Sequence, residues 1–150
     1  MWVGGVRAII LNEENKMLLV KQHHEGKDIW MVPGGGIEDN ESSREAAVRE
    51  VKEETGLDIE VEKLVWHVEE VSDRGQRFVD FFLGKVVGGV LELGEDPEFD
   101  EEGQVLREVK FMSREEIKAI KYLYPDYLRD EFWAIHETGY MGYNAFKIRD

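Results

Sequence analysis

The residues with the clearest chemical potential are three glutamates in one short stretch, Glu50, Glu53 and Glu54. If this stretch is helical, Glu50 and Glu54 lie on one face with Glu53 beside them. No basic residue lies three or four positions from Glu50 or Glu54, so helical neighbours do not neutralise these carboxylates. Crowded oxygen donors suit a hard divalent cation such as Mg²⁺ or Mn²⁺. A solvated, ion-paired helix face explains the same glutamates equally well in so acidic a chain.

The elements around the glutamates predict a strand, a glycine loop and then an acidic helix. Ser42, followed three residues later by Glu45, is a capping-box pattern at a helix start. Gly56 is typical of the residue just after a helix. Upstream, the apolar run Trp30-Met31-Val32 ends at Pro33-Gly34-Gly35-Gly36, which is too rich in glycine for a regular helix or strand.

The rest of the chain predicts one mixed α/β domain over residues 1–150. A hairpin is expected from two apolar segments, Val3–Leu11 and Met17–Val20. Further strands are expected over Ile59–Val71, Phe78–Val87 and Val105–Met112, and helices after the Ser113 cap and over Tyr127–His136. This order implies a mixed sheet with helices on both faces. No repeat or linker composition divides the chain.

Composition narrows the possible functions. The chain has 150 residues, of which 42% are hydrophobic, and it has no cysteine, which excludes disulfides, thiolate zinc sites and cysteine nucleophiles. Its formal net charge of −14 argues against binding to nucleic acid polymers. No apolar run is long enough for a membrane span, and the first residues lack a signal-peptide pattern. We therefore expect a cytoplasmic protein without membrane partners.

The glutamates belong to a longer motif with fixed spacing. From Gly35 to Leu57 the sequence reads G-x5-E-x7-R-E-V-K-E-E-T-G-L. A chance match to such a pattern is on the order of one in 10⁸ per start position. The stretch resembles the box of the Nudix (MutT-type) hydrolases, G-x5-E-x7-R-E-U-x-E-E-x-G-U with U aliphatic. The resemblance implies an α/β/α sandwich with a mixed central sheet and a Nudix box at residues 35–57.

The resemblance also implies roles for the box residues. Glu50, Glu53 and Glu54 would bind Mg²⁺ or Mn²⁺, with a carbonyl near Gly34 or Gly35 as an extra ligand. A second set would support the box: Glu41 pairing with Arg49, Gly56 ending the helix, and Val51 and Leu57 in the core.

The general base is less defined by the resemblance, because family members use either a box glutamate or an acid from a later loop. Glu53 and Glu50 are the box candidates. The later loop offers Glu98, Glu101 and Glu102, of which Glu102 best resembles the additional metal-binding glutamate, with Glu101 next. The alternative interpretation is that this later loop is only a solvated acidic segment.

The resemblance implies water attack on the pyrophosphate of a nucleoside diphosphate linked to another group. The proline and tyrosine patterns of the ADP-ribose and dinucleoside-polyphosphate members are missing after the box, which leaves a nucleoside triphosphate as the favoured substrate. Trp30, Lys21 and Arg77 are candidate substrate contacts, although strand aromatics are more often core. Lys27 and Arg7 are further phosphate candidates, and no spacing pattern supports any of these basic residues. Alternatives are a nucleotide-sensing module without turnover and an RNA 5′-pyrophosphohydrolase. A homodimer is possible.

Overall fold

The structure is a computed structural model that describes residues 4–73, 75–94 and 105–149. The strands of this part are β1 (Gly4–Ile10), β2 (Met17–His24), β3 (Lys27–Met31), β4 (Gly34–Gly36), β5 (Leu57–Ser72), β6 (Gly75–Gly89), β7 (Val105–Met112), β8 (Leu123–Tyr124) and β9 (Phe146–Arg149). Its helices are α1 (Ser43–Thr55), α2 (Arg114–Lys118) and α3 (Glu131–Glu137), with a 3₁₀ turn at Asp126–Leu128. None of these helices has the length and apolar character that a membrane span requires.

The strands form two mixed sheets. The first has the order β4-β1-β6-β5-β9, in which β1 runs parallel to β6 and β5 parallel to β9. The second has the order β7-β2-β3-β8, in which β3 and β8 are parallel and the other pairs antiparallel. Helix α1 packs on one face of the first sheet, and α2 and α3 pack on its other face. The α/β class with mixed sheets and helices on both faces is therefore confirmed.

The predicted hairpin of β1 with β2 is wrong. In the described structure a single bridge, Leu11 to Met17, joins the two segments before they enter different sheets. β1 is apolar on both faces, since Val6 packs under α1 whereas Ile9 belongs to the core on the opposite side. A strand of this kind is better buried between two neighbours at the centre of a sheet than in a half-exposed hairpin.

Helix α1 begins and ends where the sequence predicts. The Ser42 hydroxyl accepts the Glu45 N–H at 3.1 Å, and the Glu45 carboxylate accepts the Ser42 N–H at 3.0 Å. Gly56 ends the helix in the left-handed region with φ of 77°. Ala46 and Ala47 are buried against the five-stranded sheet, and their small side chains let the helix approach it closely. This packing fixes the acidic helix over β1.

The larger core lies on the opposite face of the five-stranded sheet. Trp66 is fully buried there and packs edge-on against Phe81 and Phe132, with ring centroids 5.9 Å and 6.2 Å away. Phe132 belongs to α3 and Phe81 to β6, so this aromatic group attaches the C-terminal helix to the sheet. The predicted core positions Val51 and Leu57 are buried in a separate cluster beside α1.

The C-terminal part differs from the sequence prediction in two ways. The helix expected from Tyr127 is a 3₁₀ turn followed by α3, which begins at Glu131. Strand β9 was not predicted at all; it pairs parallel with β5, from Phe146 opposite His67 to Arg149 opposite Glu70. Because a parallel partner is distant in sequence, local patterns carry little signal for such a strand.

Candidate functional site

The glycine segment before α1 is a strand, contrary to the prediction of an irregular loop. Gly34–Gly36 forms β4 and pairs antiparallel with β1. A Cβ at Gly34 would lie 2.1 Å from the Val6 carbonyl oxygen, so only a residue without a side chain fits there. A Cβ at Gly35 would lie 2.6 Å from the carboxyl carbon of Glu50. The glycines therefore let the backbone of β4 touch both its partner strand and the acidic helix.

Two of the three box glutamates are buried against this backbone. Glu50 is 1% exposed and Glu54 is 3% exposed. The Gly34 N–H donates to Glu54 Oε2 at 3.2 Å. Burial of an ionised carboxylate is costly unless hydrogen bonds or positive charge compensate it. Glu53 is more accessible, with a side chain 30% exposed.

Arg49 links the glycine segment to the glutamates. Its Nε and Nη2 donate to Glu41 at 2.7 Å and 3.0 Å, and Nη2 also donates to the Gly36 carbonyl at 2.9 Å. Its Nη1 donates to Glu50 Oε1 at 2.9 Å and to Glu53 Oε2 at 3.2 Å. Arg49 directly precedes Glu50 in the sequence, so the helical spacing of three and four residues did not predict it as a partner of Glu50. The contact of Arg49 with Glu41 implied by the resemblance is present.

These contacts shift two pKa values in opposite directions. The hydrogen bonds that Arg49 donates to Glu41, with a smaller effect of Glu50, raise the pKa of the Arg49 guanidinium above its usual range. The same hydrogen bond lowers the pKa of Glu41 below its usual value. Both groups are thus held in their charged forms, and Arg49 stays a permanent cation beside the glutamates.

Replacing Glu41 by glutamine should destabilise the protein in a pH-dependent way. Because the folded-state pKa of Glu41 is lowered, its stabilising effect is present above the usual glutamate pKa of about 4.3 and is lost as the pH falls through the lower folded value. At about pH 7 we expect a loss of about 1–3 kcal/mol in the free energy of unfolding. Urea denaturation from about pH 7 to about pH 2 should show a constant difference from the parent down to about pH 5, and a difference that shrinks at lower pH.

The control for this variant is Glu38→Gln. Glu38 lies 3.5 Å from the same arginine but is 61% exposed, so its loss should cost only about 0.5 kcal/mol or less. Equal losses in the two variants, or a Glu41→Gln loss that does not change with pH, would contradict the interpretation of Arg49 as the partner that holds Glu41 ionised.

The segment that follows β6 is attached to the C-terminal end of α1. The Glu92 N–H donates to the Thr55 carbonyl and the Gly94 N–H to the Glu54 carbonyl, both at 2.9 Å. A Cβ at Gly94 would lie 1.7 Å from the Glu53 carbonyl oxygen, which explains a glycine there. The following stretch, which contains the predicted Glu98, Glu101 and Glu102, lies outside the described residues.

Comparison with known proteins identifies the family. The family model of the NUDIX domain matches residues 1–130. The chain belongs to the Nudix family. The residues that match the family model include the box and every strand of the two sheets except β9, which lies beyond residue 130.

Relatives with described activities are similar to parts of this Nudix chain. An ADP-ribose pyrophosphatase of Methanocaldococcus jannaschii is 39% identical over 90 residues, which are 58% of this chain and 53% of that protein. The human 8-oxo-dGDP phosphatase NUDT18 is 38% identical over 93 residues, 61% of this chain and 28% of that protein. The matches thus span about half or less of these two relatives.

A solved Nudix-type structure shows that the likeness extends to the whole fold. The MutT protein from Methanosarcina mazei Go1 superposes with a TM-score of 0.67 at 27% identity, covering 92% of this chain and 95% of that one. The two-sheet arrangement with its box helix is therefore shared with a solved MutT protein.

The Nudix chain does not place all predicted site residues together. Arg49, Glu41 and Glu50 meet at the glycine segment, with Glu53 and Glu54 beside them.

Arg7, one of the further phosphate candidates, lies opposite Gly34, but the candidate substrate contacts Lys21, Trp30 and Arg77 lie elsewhere. Lys21 and Trp30 are neighbours in the four-stranded sheet, where the lysine Nζ is 5.4 Å from the Trp30 ring centre and 3.3 Å from Glu108. Arg77 lies in the other sheet, 3.9 Å from Glu70. The three candidates therefore do not form one group.

Sequence reasoning also missed a residue of this site. Gly94, which holds the segment after β6 against the helix end, carried no recognisable spacing signal. Its importance follows from a contact with a helix that ends far earlier in the sequence.

Proposed function

We propose that this chain is a Nudix pyrophosphohydrolase, which cleaves the pyrophosphate bond of a nucleoside diphosphate linked to another group by attack of water on phosphorus. The observation that carries the proposal is the pair of buried carboxylates, Glu50 and Glu54, packed against the backbone at Gly34 and Gly35. Burial of two acids at a glycine cradle costs stability and is typical of a functional site rather than a solvated face. Residues 1–150 would then form one catalytic domain.

The donor set fits a divalent cation, which Nudix hydrolases generally need. The space at Gly35 that a Cβ would fill keeps the Glu50 carboxylate against the backbone of β4, and carboxylate oxygens are hard donors that suit Mg²⁺ or Mn²⁺. Within the described ranges, no group of three or more acidic or histidine side chains is already arranged to hold a metal. We propose Glu50, Glu54 and Glu53 as ligands together with a carbonyl of Gly34 or Gly35.

The arrangement explains why a further ligand is needed. Arg49 occupies one oxygen of Glu50 and one of Glu53, so Glu53 has to turn from the arginine to join the other two acids. Glu102, which lies outside the described residues, is the proposed additional ligand because it resembles the additional metal-binding glutamate of the family. When bound, a divalent cation would neutralise phosphate charge and lower the pKa of the attacking water.

The protein's own groups would position and deprotonate the water. Glu53 is more accessible than Glu50 and Glu54 and is proposed as the general base, with Glu50 and Glu102 as the other candidates. Arg49 acts as a positioning residue, because its fork holds Glu41 and the Gly36 carbonyl on one side and the glutamates on the other. The orientation of metal-binding side chains depends on supporting hydrogen bonds of this kind.

Among small nucleotides, we propose a nucleoside triphosphate as the favoured substrate. The similar proteins act, by their descriptions, on ADP-ribose and on 8-oxo-dGDP, so both nucleotides belong in any test. The net charge of −14 argues against long RNA or DNA substrates. Mg²⁺ or Mn²⁺ as the working metal, a cytoplasmic location and a possible homodimer stay predictions.

A product-identified screen tests this function. The full chain is incubated with Mg²⁺, and separately with Mn²⁺, in H₂¹⁸O with nucleoside triphosphates and their oxidised forms, ADP-ribose, nucleotide sugars and dinucleoside polyphosphates. We expect cleavage of a pyrophosphate bond, with one ¹⁸O incorporated into a product phosphate and no reaction in chelator. Mass spectrometry identifies both products and the labelled one.

Two results would overturn the proposal. Tight binding in calorimetry with every ligand recovered intact would indicate a nucleotide-sensing module. Turnover of 5′-triphosphorylated RNA alone would indicate an RNA pyrophosphohydrolase; such an enzyme of Pelagibacter ubique is 37% identical over 54 residues.

A further inference from the structure

Two arginines from distant parts of the chain share one tyrosine ring. The guanidinium carbon of Arg149 lies 4.6 Å from the centre of the Tyr124 ring, and that of Arg7 lies 5.6 Å from it. Arg7 belongs to β1 and Arg149 to β9 of the five-stranded sheet, whereas Tyr124 belongs to β8 of the four-stranded sheet. The group therefore forms where the two sheets approach each other.

This group carries more positive charge than the neighbouring acids neutralise. Arg149 lies 3.7 Å from one oxygen of Glu70, and Arg77 lies 3.9 Å from the other oxygen. In the part of the chain that the structure describes, no carboxylate lies within ion-pair distance of Arg7. Arg149 and Arg77 thus share one carboxylate, and Arg7 adds a further positive charge on the same tyrosine ring as Arg149. A bound anion would neutralise the remaining positive charge.

The arginine group is continuous with the glutamate site. Arg7 lies directly opposite Gly34 in the β1–β4 pair, and a Cβ at Gly34 would lie 2.6 Å from the Arg7 side chain. The Arg7 Nη1 donates to the Val32 carbonyl at 2.7 Å, which fixes its half-buried side chain. On its other side, Gly34 donates to Glu54. A single glycine therefore separates the first arginine from the proposed metal ligands.

We propose that Arg7 and Arg149, held on Tyr124, form an anion subsite for the phosphate farthest from the nucleoside in a nucleoside triphosphate. The assignment rests on the proposed pyrophosphohydrolase function and extends it to substrate choice. Guanidinium groups stay charged and can bind phosphate oxygens in pairs, while the aromatic ring holds them in place. Arg149 lies beyond the residues that match the family, so this part of the subsite belongs to the C-terminal strand of this chain.

The subsite predicts that the enzyme prefers a nucleoside triphosphate to a nucleoside diphosphate hexose, and that this preference depends on Arg149. A nucleoside triphosphate carries an additional charged phosphate, whereas a nucleoside diphosphate hexose ends in a neutral sugar. Arg149→Gln should raise KM for the triphosphate about 10-fold or more, with kcat changed less than about 2-fold, because hydrogen bonds to charged groups are involved. KM for the diphosphate hexose should stay nearly constant. Arg149→Lys, which keeps the charge but not the fork, should be intermediate.

The matched control is Arg107→Gln, which removes the same charge from an exposed position on β7. It should leave both KM values unchanged. Equal kinetic effects of Arg149→Gln and Arg107→Gln would show a general charge effect and overturn the subsite. A fall in thermal stability of Arg149→Gln without any change in KM or binding would show that Arg149 only attaches β9, and would overturn it too.

A binding measurement separates failure of the subsite from failure of the proposed reaction. Inorganic tripolyphosphate is titrated in chelator, by calorimetry and by NMR of the arginine Nε–H groups. We expect the Arg7 and Arg149 signals to shift and the dissociation constant to rise about 10-fold in Arg149→Gln but not in Arg107→Gln. Unshifted signals overturn the subsite even if nucleotides are hydrolysed; shifted signals without any hydrolysis support the anion site and overturn only the reaction.

Discussion

Replacing Glu53 by glutamine should lower kcat/KM by roughly 10³–10⁵-fold and leave the fold intact, if Glu53 is both a metal ligand and the base. Its side chain is partly exposed and contacts Arg49 at 3.2 Å, so an amide of the same shape can remain there without loss of packing. The carboxylate charge, in contrast, has no substitute when a cation has to be held or a proton accepted. Steady-state kinetics on the substrate found in the screen measures the loss.

Thermal unfolding gives an independent measure of the same prediction. Addition of Mg²⁺ should raise the melting temperature of the parent, because a ligand that binds only the folded state stabilises it. This rise should be much smaller in Glu53→Gln, while the two proteins melt at similar temperatures in chelator. Glu60→Gln, at an exposed position of β5, is the charge-matched control and should behave like the parent. Full activity of Glu53→Gln would remove Glu53 from the proposed site.

Replacing Arg49 by glutamine should cost about 3–5 kcal/mol in the free energy of unfolding, more than any other single change at the site. The reason is Glu50, which is 1% exposed and would lose the Nη1 hydrogen bond at 2.9 Å. The two hydrogen bonds to Glu41 and the one to the Gly36 carbonyl would be lost as well. For a chain of this size the melting temperature should fall by roughly 10 °C. Chemical denaturation and calorimetry measure both quantities.

A double variant tests whether the buried acid causes this loss. In Arg49→Gln combined with Glu50→Gln, the buried group that lost the Arg49 hydrogen bond is neutral, so part of the stability should return. Arg49→Lys should lie between the parent and Arg49→Gln, since lysine keeps the charge but cannot form the fork. If the double variant is no more stable than Arg49→Gln alone, Glu50 does not depend on Arg49 for its burial.

The parts of the fold that the sequence predicted are those with local causes. Helix α1 follows from Ser42, Glu45 and Gly56, which act within one or two helical turns of their own positions. The shared helix face of Glu50 and Glu54 follows from helix periodicity alone. The long β5–β6 pair also has a short connection, so its strands were found although each extends beyond the predicted limits.

The missed features depend on partners that are distant in sequence. The three glycines of β4 form a strand only because β1 lies alongside, and the same proximity explains why a side chain at Gly34 would collide with Val6. The Arg149–Tyr124 contact needs β9 to pair with β5 and β8 with β3. Neither pairing leaves a periodic pattern, because β8 has two residues and β9 has four. Such contacts become visible only in three dimensions.

The hydrogen bond from Gly94 to the helix end has a consequence for engineering and divergence. A side chain at Gly94 would collide with the Glu53 carbonyl oxygen, so a substitution there would act directly on the backbone that carries the acids. Engineered changes of selectivity should therefore keep this glycine, because it couples the segment after β6 to the acidic helix.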